Sequence, residues 1–459
     1  MSTSVEQSSS AGLRRALFSV HSYPPSLRVG VQRTLRFIRY LPAFGWSADV
    51  VAPAVAPGEE VREIAGVGEV IRPPEWLPLQ AAVRARNSLR SVFAGAGAER
   101  PGVPAAPRDS SEDADPPAPG QSLAARIVDP WFSTPDEHIG WFPRAVPAAR
   151  RLALRRGPAV LYTSGPPHSA HLIALRLRGT LGIPWVADFR DPWARNPWLP
   201  DGDRQGWRHA AQVRLEAAVI DRADRVVLNT AAMADEFRAH YPRHASKFAT
   251  ITNGYDPAAH TALDAGAAPA AGVLTLLHAG SLYKRRDPRP LLEALSRVLR
   301  EEAVPPGQLR LRFLGHIDSA FRVPARVQAL GLGEAVELAG RVTHAESLAA
   351  MARAQVLILL QPGTQLQVPA KFFEYMQTER TILALTPEGA TAEIVRAYRL
   401  GTVVPAEDVS RIAVAIADLW KRFTAGESLR VDARSALHAF DGRDLTGRLA
   451  DVFAEVAGR

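Results

Sequence analysis

Apolar residues in this chain come in two rhythms. Short continuous runs, most of them rich in β-branched residues, recur along both halves, and longer segments with apolar positions three and four apart lie between them. In the first half the runs are Ala16–Val20, Ala48–Ala52, Glu69–Arg72, Ala159–Thr163, Trp185–Asp188, Arg225–Asn229 and Phe248–Thr252. In the second half they are Val273–His278, Leu309–Leu314, Val336–Leu338, Val356–Leu360, Thr381–Leu385 and Thr402–Val404. Arg289–Glu301 and Ala345–Arg353 have the spacing of amphipathic helices. Strands that alternate with helices predict parallel sheets built from right-handed βαβ units. The fold class expected is α/β, with two doubly wound, Rossmann-like domains in tandem and a ligand site in the cleft between them.

Three segments interrupt the pattern. The polar start, residues 1–12, is expected to be a disordered tail, and Phe93–Gln121 a disordered insertion rich in Pro, Ala, Gly and acidic residues. Ala262–Ala271 (ALDAGAAPAA) has the composition of a linker. The division expected is an N-terminal domain at 13–262, a linker at 263–271, a C-terminal domain at 272–440 and a closing helix at 441–459.

The chain has 459 residues and no cysteine, which excludes disulfides, thiolate metal sites, iron–sulfur clusters and a cysteine nucleophile. Lys and Arg number 55 against 47 for Asp and Glu, a net charge of +8. That mild excess suits a phosphate-bearing substrate or an anionic surface, or is simply a solvated arginine-rich surface. The basic residues are scattered and no nucleic-acid-binding module is visible, so no nucleic-acid partner is expected. No apolar run is long enough to span a bilayer, and ALFSV, residues 16–20, is too short for a signal sequence. A cytoplasmic protein is expected. Leu79–Phe93 sets Leu79, Val83, Leu89, Val92 and Phe93 against Arg84, Arg86 and Arg90. That pattern fits a basic amphipathic helix at the inner membrane face, and equally a core-facing helix with a solvated basic side.

Five segments at strand ends could carry chemistry. In residues 21–46 a Pro-Pro loop leads to Arg28-Val29-Gly30 and a helix, where unpaired N–H groups with Arg28 and Arg33 would attract an anion, or which forms an ordinary βα turn with surface arginines. In residues 161–177 a strand runs into Ser164-Gly-Pro-Pro, then His168 and His171, either of which could bind a sugar, move a proton or simply cap its own helical turn. Residues 182–198 contain Asp188-Phe189-Arg190-Asp191, where one carboxylate is a candidate base and Arg190 a candidate ion-pair partner. In residues 276–288, Gly280 and Ser281 precede Lys284, Arg285 and Arg286, a small-residue turn followed by charge suited to a diphosphate, or an exposed basic turn. It is not a Walker A loop, because GK[ST] is absent. In residues 361–385, Val368-Pro369 opens a helix with Lys371 and Glu374 on one face. They suit a phosphate and a ribose diol, or pair with each other.

Taken in order, SGPPHSAH, ADFRDPW, the stretch from Asn229 to Asp256 and VPAKFFEYMQTERTILAL resemble the family 4 glycosyltransferases of the GT-B fold, in the branch that builds bacterial cell-surface polysaccharides and glycoconjugates. The resemblance implies an acceptor-binding N-terminal domain, a nucleotide-sugar-binding C-terminal domain and a last helix, near Leu445–Val456, that crosses back to the first domain. It implies transfer to a hydroxyl acceptor (a glycan, a lipid-linked glycan or a small molecule), retention of anomeric configuration, no cofactor and no metal. It puts Glu374 at the ribose, Lys371 and Arg286 at the diphosphate, Gly280 in the donor loop, Arg28–Gly30 in the N-domain loop, and His168 near the active-site histidine with His171 as its rival. His168, Asp188, Asp191, Arg286 and Lys371 are thus the catalytic candidates. Arg28, Gly30, Ser164, His171, Arg190, Gly280, Ser281, Arg285, Val368 and Glu374 are the candidate substrate contacts. One departure stands out: the family's first motif glutamate, seven residues before Glu374, is Leu366, flanked by Gln365 and Gln367. The competing functions are a sugar-nucleotide epimerase or hydrolase on the same fold, and a non-catalytic nucleotide-sugar or glycan-binding partner.

Overall fold

The computed structural model describes residues 12–26, 30–55, 64, 66–76, 134–197, 199, 204–260, 272–283 and 285–458. The 93–121 insertion, the 79–93 helix, the 263–271 linker, nearly all of the tail, Arg28 and Lys284 lie outside them.

All thirteen apolar runs are strands, their ends displaced by no more than a few residues. Unit 1 contains β1 (Arg14–Val20), β2 (Trp46–Val51), β3 (Val67–Ile71), β4 (Val160–Gly165), β5 (Trp185–Phe189), β6 (Arg225–Leu228) and β7 (Phe248–Thr250). They pair in the order β3-β2-β1-β4-β5-β6-β7, every pair parallel. Unit 2 contains β8 (Leu274–Ala279), β9 (Leu309–Leu314), β10 (Val336–Gly340), β11 (Val356–Leu360), β12 (Thr381–Leu385) and β13 (Gly401–Val404). Their order is β10-β9-β8-β11-β12-β13, again all parallel. Both sheets are Rossmann-like and doubly wound, as the alternation predicts. Strand order reverses between β1 and β4 in one sheet and between β8 and β11 in the other, and a ligand crevice forms at the carboxyl ends of such a pair.

Central strands such as β11 and β12 read as unbroken apolar runs because helices cover both sheet faces. In unit 2, α5 (Arg289–Glu301) and α8 (Val409–Thr424) place Leu291, Leu295, Ile412 and Ile416 in one core cluster with Leu276, Phe313 and Ile358. On the opposite face, α6 (His344–Arg353) and α7 (Ala370–Gln377) place Met351, Phe372 and Tyr375 in a second cluster with Leu277, Leu357 and Ala384. Helix α6 starts at a capping box in which Thr343 and Glu346 satisfy each other's backbone N–H.

Unit 1 carries α1 (Gly30–Tyr40), α2 (Phe142–Arg156), α3 (Ser169–Leu181) and α4 (Gly206–Arg222). Its last element comes from the end of the chain. From Thr446 onward, α9 (Gly442–Ala457) belongs to unit 1. Phe453 of α9 is fully buried, with its ring 6.2 Å from Phe18, 5.3 Å from Trp46 and 5.9 Å from Tyr162. Arg225 donates to Glu455 at 2.9 Å. No helix among the described residues is long and apolar enough to cross a membrane.

Candidate functional site

In unit 1 the strand register sets Ser164 of β4 beside Asp188 of β5, with Val20 of β1 on the other side of Ser164. Asp188 is fully buried, and both oxygens of its carboxylate accept hydrogen bonds. Oδ2 accepts from Arg33 Nε at 3.0 Å, Tyr162 Oη at 2.7 Å and Ser164 Oγ at 2.8 Å, while Oδ1 accepts from Arg33 Nη2 at 2.8 Å. Burial opposes ionisation of Asp188, but the Arg33 charge and these hydrogen bonds outweigh it and hold the carboxyl below its usual range. A carboxylate paired to Arg33 through both oxygens, fully buried and crowded at Oδ2, is poorly suited to take an acceptor proton. This corrects three expectations. Asp188 is a structural anion, Ser164 spends its hydroxyl on it, and Arg33 sits on the buried face of α1 instead of adding charge to an anion-binding loop.

Arg190, the expected partner of Asp188, pairs elsewhere. Its guanidinium donates to the Pro166 carbonyl, and its backbone N–H donates to Gly165 O at 2.9 Å. The same guanidinium lies against Gly30 at the start of α1, where a Cβ would fall 1.5 Å from Nη1. Gly30 and Arg190 are thus brought together, and Asp191 is half-buried in the following loop. That loop is anchored by a residue without a sequence signal, the fully buried Glu216 of α4. Glu216 accepts from Ala194 N at 2.8 Å, Arg195 Nη1 at 2.7 Å and Tyr241 Oη at 2.7 Å.

His168 and His171 meet over Gly165 at the end of β4. A Cβ on Gly165 would lie 2.7 Å from His171 Nε2 and 2.9 Å from His168 Nδ1. Neither nitrogen has a hydrogen-bond partner among the described residues. His168 stacks on Trp193 at 4.6 Å and His171 on Phe189 at 4.7 Å. His171 Nδ1 bonds Thr163 Oγ1 at 2.8 Å. Burial holds both rings neutral: His168 well below its usual value, with His171 and Arg190 adding to the effect, and His171 down at about 3. Two neutral rings therefore each keep one nitrogen without a hydrogen-bond partner beside Gly165, among the described residues.

A second polar group on that edge has no linear motif. His21, just past β1, Glu75, beyond β3, and His138 lie together. Burial opposes ionisation of Glu75, but hydrogen bonds to His138 and His21 outweigh it and hold the carboxyl at about 2. Asp136 joins this group to α3, accepting from His138 N at 3.0 Å and Ser169 N at 2.8 Å.

In unit 2 the candidates gather where β8 and β11 end. His278 Nδ1 donates to Ile358 O at 3.0 Å, which leaves Nε2 as the bare nitrogen. Nε2 faces Gly280, where a Cβ would lie 3.6 Å away. Burial lowers the His278 pKa to about 4, with Arg286 and Lys371 adding to the effect against the Ile358 hydrogen bond. Arg286 and Lys371 are therefore close enough to Gly280 to be felt at this ring. Arg286 stacks over Tyr283 at 4.7 Å, and the exposed Arg285 reaches across to Gly363, where a Cβ would lie 2.9 Å from its Cδ. Ser281 is half-buried in the same turn.

Helix α7 is fastened to this edge by Tyr375. Its hydroxyl accepts from Ala279 N at 2.8 Å and lies 3.3 Å from Ile358 O. That anchor carries Lys371 and Glu374, joined at 2.7 Å and both half-exposed. The loop before α7 is laced shut: Gln361 Nε2 donates to Gln367 O at 2.8 Å, Thr391 donates to Gln361 Oε1 at 3.0 Å, and Thr364 donates to Gln367 Oε1 at 3.0 Å. Val368 departs from expectation. Its side chain is buried in the core with Phe372 and Phe373, so only its backbone is left for a ligand.

Both halves of the chain match known families. Residues 104–259 match the family model described as Glycosyltransferase Family 4, and residues 274–422 match Glycosyl transferases group 1. A D-inositol 3-phosphate glycosyltransferase of Catenulispora acidiphila is 26% identical over 305 residues, which cover 62% of this chain and 71% of that one. Among solved structures, sucrose-phosphate synthase from Thermosynechococcus elongatus superposes with a TM-score of 0.66 at 16% identity, covering 97% of this chain and 99% of that one. Anabaena HepE, solved in complex with UDP, gives 0.55 at 13% identity, covering 96% and 100%. These structural likenesses bear on the fold, and the two family matches follow one another along the chain, the first mostly in unit 1 and the second within unit 2. With both sheets in place and a family match in each half, the chain carries Glycosyltransferase Family 4 and Glycosyl transferases group 1 domains on a GT-B fold.

Proposed function

We propose that this glycosyltransferase moves a sugar from a nucleoside-diphosphate sugar, held by unit 2, to a hydroxyl acceptor served by unit 1. One observation carries the donor assignment. Gly280, Arg285, Arg286 and Lys371 gather at the carboxyl ends of β8 and β11, where the strand order reverses. An open backbone turn with several cations at a sheet crevice suits a diphosphate. Glu374, three residues from Lys371, is placed to accept two hydrogen bonds from a ribose diol once a ligand phosphate competes for Lys371. The names of HepE complexes with UDP and with UDP-glucose support a nucleotide-sugar donor and make uridine the first base to try.

Negative charge develops on the diphosphate as its bond to the sugar breaks. Arg286, Lys371 and the N-terminal amides of α7 would stabilise that charge without reorganising, which is often the largest contribution to rate. With Asp188 occupied by Arg33, no carboxylate of unit 1 is assigned as nucleophile or base. The reading is therefore a retaining front-face displacement, in which the acceptor oxygen attacks the anomeric carbon, the diphosphate leaves from the same face, and a leaving phosphate oxygen takes the acceptor proton. His168 Nδ1 and His171 Nε2, bare and neutral, suit hydrogen bonding to acceptor or sugar hydroxyls. No metal is assigned to the donor. Polysaccharide or glycoconjugate synthesis on the cytoplasmic side, with peripheral contact at the inner membrane face, is the setting this reading expects.

The test is a thermal-shift panel with UDP, GDP, dTDP, ADP and CMP in the absence of added metal. A ligand at ~100 times its dissociation constant adds about 2.7 kcal/mol to the folded state. Selective stabilisation by one diphosphate, lost in Glu374→Ala, supports the assignment. Absence of any shift removes the donor cradle and favours a non-catalytic role.

A further inference from the structure

We infer that His21, Glu75 and His138 bind a divalent transition-metal cation of zinc type at the carboxyl edge of the sheet in unit 1. The three residues come from separate segments, after β1, after β3 and before α2, and each presents one ligand atom within 4.8 Å of the other two. Two imidazoles and one carboxylate form the donor set of borderline cations such as zinc, and three protein ligands leave a fourth position open.

The spacing fits a cation better than it fits hydrogen bonds alone. Glu75 divides its oxygens, Oε1 lying 3.3 Å from His138 Nδ1 and Oε2 lying 3.9 Å from His21 Nε2. Both separations are long for a hydrogen bond, so each imidazole contact with the carboxylate is a weak one. A tetrahedral zinc ion about 2.0–2.1 Å from each ligand sets its ligand atoms ~3.3 Å apart. One ligand atom from each residue lies within 4.8 Å of the other two, so small side-chain rotations would bring the three to that spacing. The two imidazole rings are already face to face, with centroids 3.9 Å apart and an interplanar angle of 35°. The side chains of His21, Glu75 and His138 are 10%, 16% and 9% exposed, buried enough to be held and open enough to be reached.

The surroundings are built to hold the ligands in place. Trp76 N donates to Gly140 O at 2.9 Å and clamps the Glu75 segment to the His138 segment. Trp141, fully buried, packs edge-on against His21 at 5.6 Å. Asp136 fixes the His138 backbone and, through Ser169, the start of α3 beside His168. Outer-shell bonds of this kind orient metal ligands and raise affinity. A cation here would tie the ends of β1 and β3 to the edge that carries His168 and His171, and its open position would accept water or an acceptor oxygen. This site belongs to unit 1 and is independent of the donor cradle in unit 2, so its fate does not depend on how the nucleotide binds.

The experiment titrates the full chain, stripped with a chelator and free of nucleotide, with zinc chloride in a calorimeter. One saturable site is expected, weakened at least about tenfold in both His21→Ala and Glu75→Gln. Magnesium, which prefers oxygen ligands, should not compete. Circular dichroism and the thermal midpoint of each variant check its folding. Cobalt bound to the unaltered chain supplies a readout that needs no variant: intense visible bands of four- or five-coordination are expected. Absence of saturable zinc binding, equal affinity in both folded variants, or the faint spectrum of six-coordinate cobalt each overturns the assignment.

Discussion

Arg33 grips Asp188 through both carboxylate oxygens, at 3.0 and 2.8 Å, with neither residue exposed to water. The pair joins α1 to β5, and Arg33 extends the link to Ile251 O at 2.8 Å. Removing one partner strands the other as a buried charge. Arg33→Met is expected to cost about 3–5 kcal/mol of folding free energy. Urea unfolding measures it, and a loss under about 1 kcal/mol would show that water reaches the site. Asp188→Asn should lower stability while leaving nucleotide binding in unit 2 unchanged.

The buried neutral histidines make the fold acid-sensitive in a defined window. The His171 pKa falls from 6.5 in the open chain to about 3 in the folded one. Between those values the unfolded chain holds a proton that the folded chain lacks, so stability drops as pH falls below about 6.5. At pH 4.5 one such group accounts for roughly 2–3 kcal/mol. His278, lowered to about 4, acts in the same direction in unit 2. The thermal midpoint should therefore decline steeply from pH 7 to 4.5, and His171→Asn should flatten the decline. An unchanged slope in that variant would mean His171 is protonated in the folded chain.

Lys371 and Glu374 neutralise each other at 2.7 Å while half-exposed, an arrangement worth little to stability. Lys371→Ala should leave the thermal midpoint within about 1 kcal/mol in free-energy terms. Its turnover should fall on the order of a hundredfold, by analogy with loss of one donor to a developing anion. Steady-state kinetics with the matched donor separates the two effects. Near-normal turnover would remove Lys371 from the mechanism.

Gly30 leaves room for Arg190. A Cβ at position 30 would meet the guanidinium at 1.5 Å, so Gly30→Ala must push Arg190 away from the Pro166 carbonyl. A cost of about 1–3 kcal/mol is expected. In an Arg190→Ala background the same change should cost much less, and a double-mutant cycle reports the difference. Additive costs would show that Arg190 does not fill that space.

The architecture was legible because a parallel strand covered on both faces has to be apolar throughout. VLILL at 356–360 and TILAL at 381–385 are buried at every position. Amphipathic spacing located α5 from Arg289 to Glu301, the same residues that form the helix. The gathering of Gly280, Arg285, Arg286, Lys371 and Glu374 around two neighbouring strand ends was readable for a related reason: polar residues at the carboxyl end of a buried strand stand at the sheet edge whatever the rest of the chain does.

Partners were not legible. Asp188 has an arginine two residues away, yet its carboxylate is taken by Arg33, 155 positions earlier, because the β4–β5 register and the buried face of α1 converge on it. Val368 lies inside a motif but turns into the core. Glu216 anchors the 190–196 loop from a helix with no motif, and His21, Glu75 and His138 come from three segments that share no local pattern. Periodicity and strand-end chemistry are local properties of the chain, so the amino-acid order alone determined the two sheets and which edges carry polar groups. Which side chain meets which on those edges depends on strand register and helix packing between residues far apart in sequence, and only the tertiary structure decided it.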